Sequence, residues 1–346
     1  MPIGPGIDHM DPTIGRAHDQ TVALADVDQN HRQTLGTIGL ATLWQAQEQQ
    51  ASRSEEHRRT IPKTHVRRTR LQLSSGTAAP NPPCYRAIAM LTHEYGPDIR
   101  LLDDPFWRTL LARIGSPDAD TAAMPGLVRM AYQRLFQEVL AREFPTRAAT
   151  QRTRMTATEP RALVHGHQFC RETRLVICAV IRAGILPAQA CYEAAIAVLP
   201  PANVRLDFLN LSRTTDAEHR VTGVRLDGSK IGGPIDDAVV VIPDPMGATG
   251  STACRAVDVY RNLPGRGPRA IIAAHLMVTP EAIRHALAMA PGVRLYAARL
   301  DRGLSSERAL ASVPGRYPDE ERGLDAMQYV IPGAGGLGEL LTNSWI

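Results

Sequence analysis

Five short apolar runs, RLVICAVI (174–181), VRLDFLNL (204–211), AVVVI (238–242), AIIAAHLM (270–277) and VRLYAARL (293–300), recur along this chain with stretches of helical character between them. Near-continuous Val, Ile, Leu and Ala is what a strand buried on both faces requires. Such strands alternating with helices form a parallel sheet between two helical layers. The intervening helices are expected near 185–198, after Gly250 and after Thr279. A longer helix is expected from Pro125, where Leu127, Ala131, Leu135 and Val139 recur every four residues beside Val128, Tyr132, Phe136 and Leu140. Its broad apolar face should pack on the sheet or on a partner subunit. The expected fold is therefore α/β, a three-layer domain with a mainly parallel sheet. Ligands bind such sheets beyond the carboxyl ends of the strands, so the residues just after each run are the place to look.

The regular pattern starts at about Tyr85, and residues 1–83 differ from the rest. Trp44 is their only aromatic residue, QAQEQQ (45–50) is polar, and Arg53 to Arg70 holds seven Lys or Arg against Glu55 and Glu56. A segment with so little to bury cannot offset its ordering entropy. Residues 1–83 are expected to form a disordered basic extension with at most a short helix around Thr34 to Gln50, and residues 84–346 the folded domain. No aromatic residues interleave with the basic run, so a solvated tail is favoured over nucleic-acid binding.

With 44% hydrophobic and 21% charged residues the chain reads as globular, and its net charge of +4 suits an anionic ligand, although much of it comes from the basic run 53–70 and not from the fold. No run of about 18 apolar residues announces a membrane span. The opening MPIGPGIDHMDP lacks the charged-then-apolar order of a secretory signal, and Asp8, Asp11 and Asp19 disfavour a transit peptide, so a cytoplasmic protein is expected. Five cysteines lie scattered without a CxxC pair, which suggests neither disulfides nor zinc; Cys178 and Cys191 should be buried thiols. HGH at 165–167, expected on a polar loop without a third ligand, points to surface residues rather than a metal.

The segment VVVIPDPMGATGST (239–252) carries the chemistry: a buried strand, an acid at its end, a Gly-rich turn, then Ser and Thr at a helix start. Gly247 and Gly250 allow the backbone to approach an anion. The amides of 248 to 252 are expected to point inward, with hydroxyls from Thr249, Ser251 and Thr252 and positive potential from the helix start. A phosphate monoester fits such a cradle. The missing Lys argues against an NTP-binding P-loop, and no GxGxxG is present. Asp244, just ahead of the turn, is placed to accept hydrogen bonds from ribose hydroxyls.

DPMGATGST resembles the phosphoribosyl pyrophosphate (PRPP) motif of type I phosphoribosyltransferases, in the form found in uracil phosphoribosyltransferases. VIRAGI (180–185) is similar to the family's segment ending Leu-Arg-Ala-Gly, which implies that Arg182 holds pyrophosphate. LSRTTDAE (211–218) resembles the stretch carrying a second PRPP-contacting Arg, here Arg213. LDRGL (300–304) is similar to Asp-Gln-Gly-Leu, and YVIPGAGGLGE (329–339) resembles the uracil-binding segment. The resemblance implies a type I phosphoribosyltransferase fold that makes UMP from uracil and PRPP. Its PRPP contacts would come from Arg182, Arg213, Asp244, Pro245, Met246, Gly247, Ala248, Thr249, Gly250, Ser251 and Thr252. Arg182 and Asp244 would be the catalytic pair. Uracil would be read by backbone groups of Val330, Gly335 and Leu337, with Gly336 between them. Mg²⁺ would arrive with PRPP, and a homo-oligomer is expected. HRVTGVRL (219–226), with Gly223 at its turn, reads equally as a flap over PRPP and as a surface hairpin.

Two features depart from the family pattern. The acid usual after Gly-Leu-Gly is Gly336 here, followed by Glu339, and residues 305–328 form an insertion. Within the loop, Gly247 stands where Leu is common. Loss of the acid points first to an enzyme weakened by a lost contact that Asp at 336 would restore, and leaves open a regulatory protein that senses PRPP or UMP without turnover and a phosphoribosyltransferase for another nucleobase.

Overall fold

A computed structural model describes residues 89–215 and 221–343. The expected extension 1–83 and its short helix lie outside the described residues. In chain order the elements are β1 (Ile99–Leu101), α1 (Pro105–Ile114), α2 (Met124–Glu143), β2 (Thr146–Arg152), β3 (Leu163–Phe169), β4 (Leu175–Ile181), α3 (Ile185–Ile196), β5 (Val204–Thr215) and β6 (Val221–Lys230). They continue with β7 (Val239–Pro243), β8 (Met246–Gly247), α4 (Ser251–Arg261), β9 (Ala270–Val278), α5 (Pro280–Met289), β10 (Arg294–Leu300), α6 (Glu307–Leu310) and α7 (Leu337–Thr342).

The main sheet runs β1-β10-β9-β7-β4-β5-β6, with β8 joined to β9. Every neighbouring pair is parallel except β5 with β6. The five apolar runs of the sequence are β4, β5, β7, β9 and β10. Alternate residues of these strands feed two different cores. Leu175, Ile177, Val239, Val241, Ile272 and Ala274 pack with α1, α2 and α3 on one face. Val176, Cys178, Val240, Ile242, Ile271 and Ala273 pack with α4 on the other. This two-sided burial gives the three layers and explains why the strands read as unbroken apolar runs.

The helix expected from Pro125 is α2, and it packs on the sheet. Val128, Ala131, Tyr132, Leu135, Phe136, Val139 and Leu140 are buried along it. Truncating Phe136 to Ala would cost about 3–5 kcal/mol through the cavity it leaves. Helix α1 is started by Asp104, whose side chain accepts from the Trp107 amide at 2.9 Å, with Pro105 opening the first turn. Cys178 and Cys191 are buried, and burial pushes the Cys178 thiol up to about 12.

Three local expectations change. HGH sits in β3, one strand of a separate antiparallel hairpin with β2, and the His165 ring pairs with the Thr150 hydroxyl at 2.9 Å. The hairpin expected at 219–226 is larger and shifted, with β5 running on to Thr215 to pair with β6. Gly223 lies within β6 opposite Thr214 and not at a turn, because the edge strand continues through it. The reversal falls between 215 and 221, outside the described residues.

The chain leaves β4 for β5 on one side, and returns at β7 to build β9 and β10 on the other. The β4/β7 pair is therefore the switch point of the sheet. A crevice at such a point, beyond the carboxyl ends of two strands whose crossovers diverge, is where an open α/β sheet binds its ligand.

Candidate active site

Arg182 follows β4 and Asp244 follows β7, so the switch-point crevice carries one cation and one anion at its floor. Both side chains are half-buried. Gly184 sets the approach of the two loops: a Cβ there would stand 2.7 Å from the Val180 carbonyl oxygen and 3.0 Å from that of Pro243. Any side chain at 184 would push the Arg182 loop off β7.

Beyond Asp244 the chain turns through 245–250 into α4. Gly250 is in the left-handed region at φ 79°, and a Cβ there would meet the Ala282 backbone at 3.0 Å. The first-turn amides of α4 have no helical carbonyl behind them and open onto this loop. The Thr249 hydroxyl donates to Ser251 Oγ at 3.1 Å and accepts from the Ser251 amide at 3.3 Å. One amide expected to point inward is already used, since Ala248 N–H donates to the Met246 carbonyl at 3.0 Å.

Two residues that sequence reasoning missed hold this loop from below. The Thr279 amide donates to Gly247 O at 3.0 Å, its hydroxyl donates to Ala248 O at 2.6 Å, and the same oxygen caps α5 by accepting from Ala282 N at 3.0 Å. His275 is buried in β9, and its Nδ1 lies 2.7 Å from the Asp244 carbonyl oxygen. A carbonyl only accepts, so Nδ1 carries the proton and donates. Burial lowers the His275 pKa, against the opposing pull of the Asp244 charge and of this hydrogen bond. The ring also explains Gly247, where a Cβ would stand 3.2 Å from His275 Cγ and 3.0 Å from Val278 Cγ2. A Leu at 247 has no room above this histidine.

The C-terminal segment closes the crevice. Val330 bridges Leu324 in an antiparallel pair whose flanking bonds are Ile331 N–H to Gly323 O at 2.8 Å and Asp325 N–H to Tyr329 O at 3.1 Å. In that geometry Val330's own N–H and C=O point away from Leu324. The Gly333 amide donates to Asp301 Oδ2 at 2.9 Å, and its carbonyl accepts from Arg299 Nη2 at 2.9 Å. Asp301 is fully buried and ion-paired with Arg299. Gly335 stands in open space at φ 66°. The Leu337 amide donates to the Gly335 carbonyl at 3.0 Å, so these two expected base-reading groups are turned toward each other. Gly338 brings the segment to the Arg182 loop, since a Cβ there would stand 3.2 Å from Ala183 Cβ. Gly336 is covered by Glu339, whose Oε2 lies 2.5 Å from where a Gly336 Cβ would sit.

The crevice thus gathers the Arg182 loop, the loop 244–252 and the segment 330–338. The backbone of Arg213 pairs with Val224 in the β5–β6 ribbon, while its side chain lies outside the described residues. Among the described residues no cluster of three His, Cys, Asp or Glu could hold a metal ion.

This α/β fold belongs to a phosphoribosyltransferase, as the match of a family model shows. The chain belongs to the uracil phosphoribosyltransferase family, whose sequence model matches residues 101–316. It is 24% identical over 249 residues to a uracil phosphoribosyltransferase of Campylobacter fetus subsp. fetus, covering 71% of this chain and 98% of that protein. It is 26% identical over 245 residues to one from Burkholderia pseudomallei, covering 71% of this chain and 94% of that protein. The fold superposes on the AQ2163 protein from Aquifex aeolicus with a TM-score of 0.52 at 20% identity, over 70% of this chain and 97% of that one. The segment 330–338 lies beyond the family-model match.

Proposed function

We propose that this chain transfers the phosphoribosyl group of PRPP to uracil, giving UMP and pyrophosphate, as a step of pyrimidine salvage. The observation that carries the proposal is the convergence of three loops: Gly184 backs onto Pro243, and Gly338 onto Ala183. A pyrophosphate-holding Arg182, a ribose- and phosphate-holding loop from Asp244 to Thr252, and a base-reading segment from Val330 to Leu337 then surround one anomeric carbon.

In the reaction uracil N1 bonds to C1′ as the C1′–O bond to pyrophosphate breaks, and the N1 proton passes to the departing pyrophosphate or to solvent water. Positive charge grows on the sugar and negative charge on the leaving group. Arg182 meets the second, and Asp244 fixes the ribose hydroxyls and faces the first. The 5′-phosphate sits at the start of α4, under the hydroxyls of Thr249, Ser251 and Thr252. Val330 offers its N–H to an acceptor oxygen of uracil, while its carbonyl lies against Gly333. The chain's contribution is positioning and exclusion of water more than proton transfer.

Mg²⁺ ordinarily keeps several waters and binds through one or two carboxylates plus substrate phosphates. The donor set here fits an ion carried on PRPP, with Asp244 as the carboxylate at hand, and the ion when bound neutralises charge on pyrophosphate. The exposed β2–β3 hairpin, with Val164 in solvent, supports assembly as a homo-oligomer. No described helix is long and apolar enough to cross a membrane, which is compatible with a cytoplasmic site of action. Incubation with PRPP, Mg²⁺ and uracil should release pyrophosphate and UMP in equal amounts. Absence of both at every protein concentration would reject the proposal.

A further inference from the structure

Arg302 stands where the family pattern has Gln, one residue beyond the buried Asp301 and at the entrance to the 305–328 insertion. Its guanidinium points into the insertion. Nη1 donates to Ala309 O at 2.8 Å and to Glu321 Oε1 at 2.9 Å, and Nη2 donates to Ser312 O at 3.0 Å and Leu310 O at 3.3 Å. Gln has neither the reach nor the donors for this set. Glu321 is fully buried, and its carboxylate also accepts from the Tyr95 hydroxyl at 2.5 Å and from the Gly315 amide at 2.9 Å. A buried carboxylate so satisfied is fixed in place, because leaving any partner out would expose an uncompensated charge.

The insertion is therefore a closed loop wrapped around one arginine. Its ends are tied together, with Leu304 N–H on Arg322 O at 3.0 Å and Arg322 N–H on Ser305 Oγ at 2.9 Å. Two residues past Glu321 lies Gly323, which touches three parts of the fold. Its amide donates to both oxygens of Glu281 on α5 at 3.0 Å, and its carbonyl accepts from Ile331 N–H at 2.8 Å. Its Cα faces the Asp301 carbonyl with no space for a side chain. Gly323 is thus the strut on which Ile331 rests, beside Val330 in the base-reading segment.

We infer that Arg302 and Glu321 are positioning residues for nucleobase binding, acting through Gly323 on Ile331 and Val330. The insertion is a built-in buttress chiefly of the base side of the crevice; Gly323 meets the PRPP side only where it packs beside Thr279. This inference rests on the assignment of 330–337 to the base, and its test separates the two.

The experiment compares wild type with Arg302→Gln, Arg302→Lys and Glu281→Gln, each measured for steady-state kinetics, melting temperature and amide hydrogen exchange at Ile331. For Arg302→Gln, KM for uracil should rise about tenfold, the equivalent of one lost buried charged hydrogen bond. KM for PRPP should stay within about twofold, the Ile331 amide should exchange faster, and Lys should not rescue, because the planar fork is what the four acceptors require. Glu281→Gln loosens Gly323 from outside the insertion, so it should shift the same two readouts by a smaller amount even if the Arg302 variants fold poorly. Unchanged exchange at Ile331 in all variants would overturn the coupling whatever the enzyme's substrate. Faster exchange with equal rises in both KM values would overturn the base-side assignment. Failure of the wild type to use uracil would instead strike the proposed function, leaving the exchange result to stand alone.

Discussion

Gly184 lies against Pro243 so closely that a Cβ on Gly184 would stand 3.0 Å from the Pro243 carbonyl oxygen. The contact joins the ends of two adjacent parallel strands and thereby fixes Arg182 and Asp244 in one crevice. Neither residue alone defines the site.

Arg182→Ala and Asp244→Asn should each cut turnover by at least about a hundredfold, since each removes a charged contact that strengthens as the glycosidic carbon loses pyrophosphate. Both side chains are half-buried at the crevice floor and outside the packed cores, so the melting temperature should change little. Near-normal rates in either variant, checked by pyrophosphate release, would mean that the crevice is not the reaction centre.

Gly336→Asp tests what replaced the acid missing from the family pattern. Sequence alone favours a lost contact that Asp would restore. The position of Glu339 points the other way, because its carboxylate fills the space a side chain at 336 would enter. A second acid there would crowd it and set two anions together, which disfavours ionisation of both. Catalytic efficiency with uracil and PRPP should fall in Gly336→Asp, and Glu339→Gln alone should also lower it. A gain in efficiency for Gly336→Asp would contradict this account.

Stability should depend on pH through His275. Burial holds its folded pKa below the ordinary value near 6.5, so between the two values the unfolded chain binds the proton and the folded one does not. The associated stability is present in full above about pH 6.5 and is lost as the pH falls from there through the folded pKa. His93, also lowered mainly by burial, adds in the same direction. His275→Asn keeps a donor for the Asp244 carbonyl and removes the titration. Its melting temperature should fall less steeply than that of the wild type between pH 7 and 5, and parallel slopes would rule His275 out.

The sheet and the strand–turn–helix at 239–252 were legible because their signals are local. A strand buried on both faces has no choice but an unbroken apolar run, and a phosphate loop needs its glycines and hydroxyls in sequence. The β2–β3 hairpin was not legible, since TRAATQR and LVHGHQF carry no apolar face to reveal a strand. Gly223 was misplaced because a glycine within an edge strand looks the same in sequence as one at a turn. His275 was hidden in an apolar run, and its meaning comes from the Asp244 carbonyl, 31 residues away. Nothing in the sequence marks Arg302 and Glu321 as partners. Their burial follows from tertiary pairing that no spacing pattern encodes.

The central claim is that this crevice joins a pyrimidine base to the ribose of PRPP, and the most direct test is turnover of the purified full chain with PRPP, Mg²⁺ and each nucleobase in turn. UMP should form from uracil at a rate well above that of any nucleotide formed from adenine, guanine or hypoxanthine, and Asp244→Asn should abolish most of it. A clean preference for a purine, or PRPP binding without turnover of any base, would contradict the account.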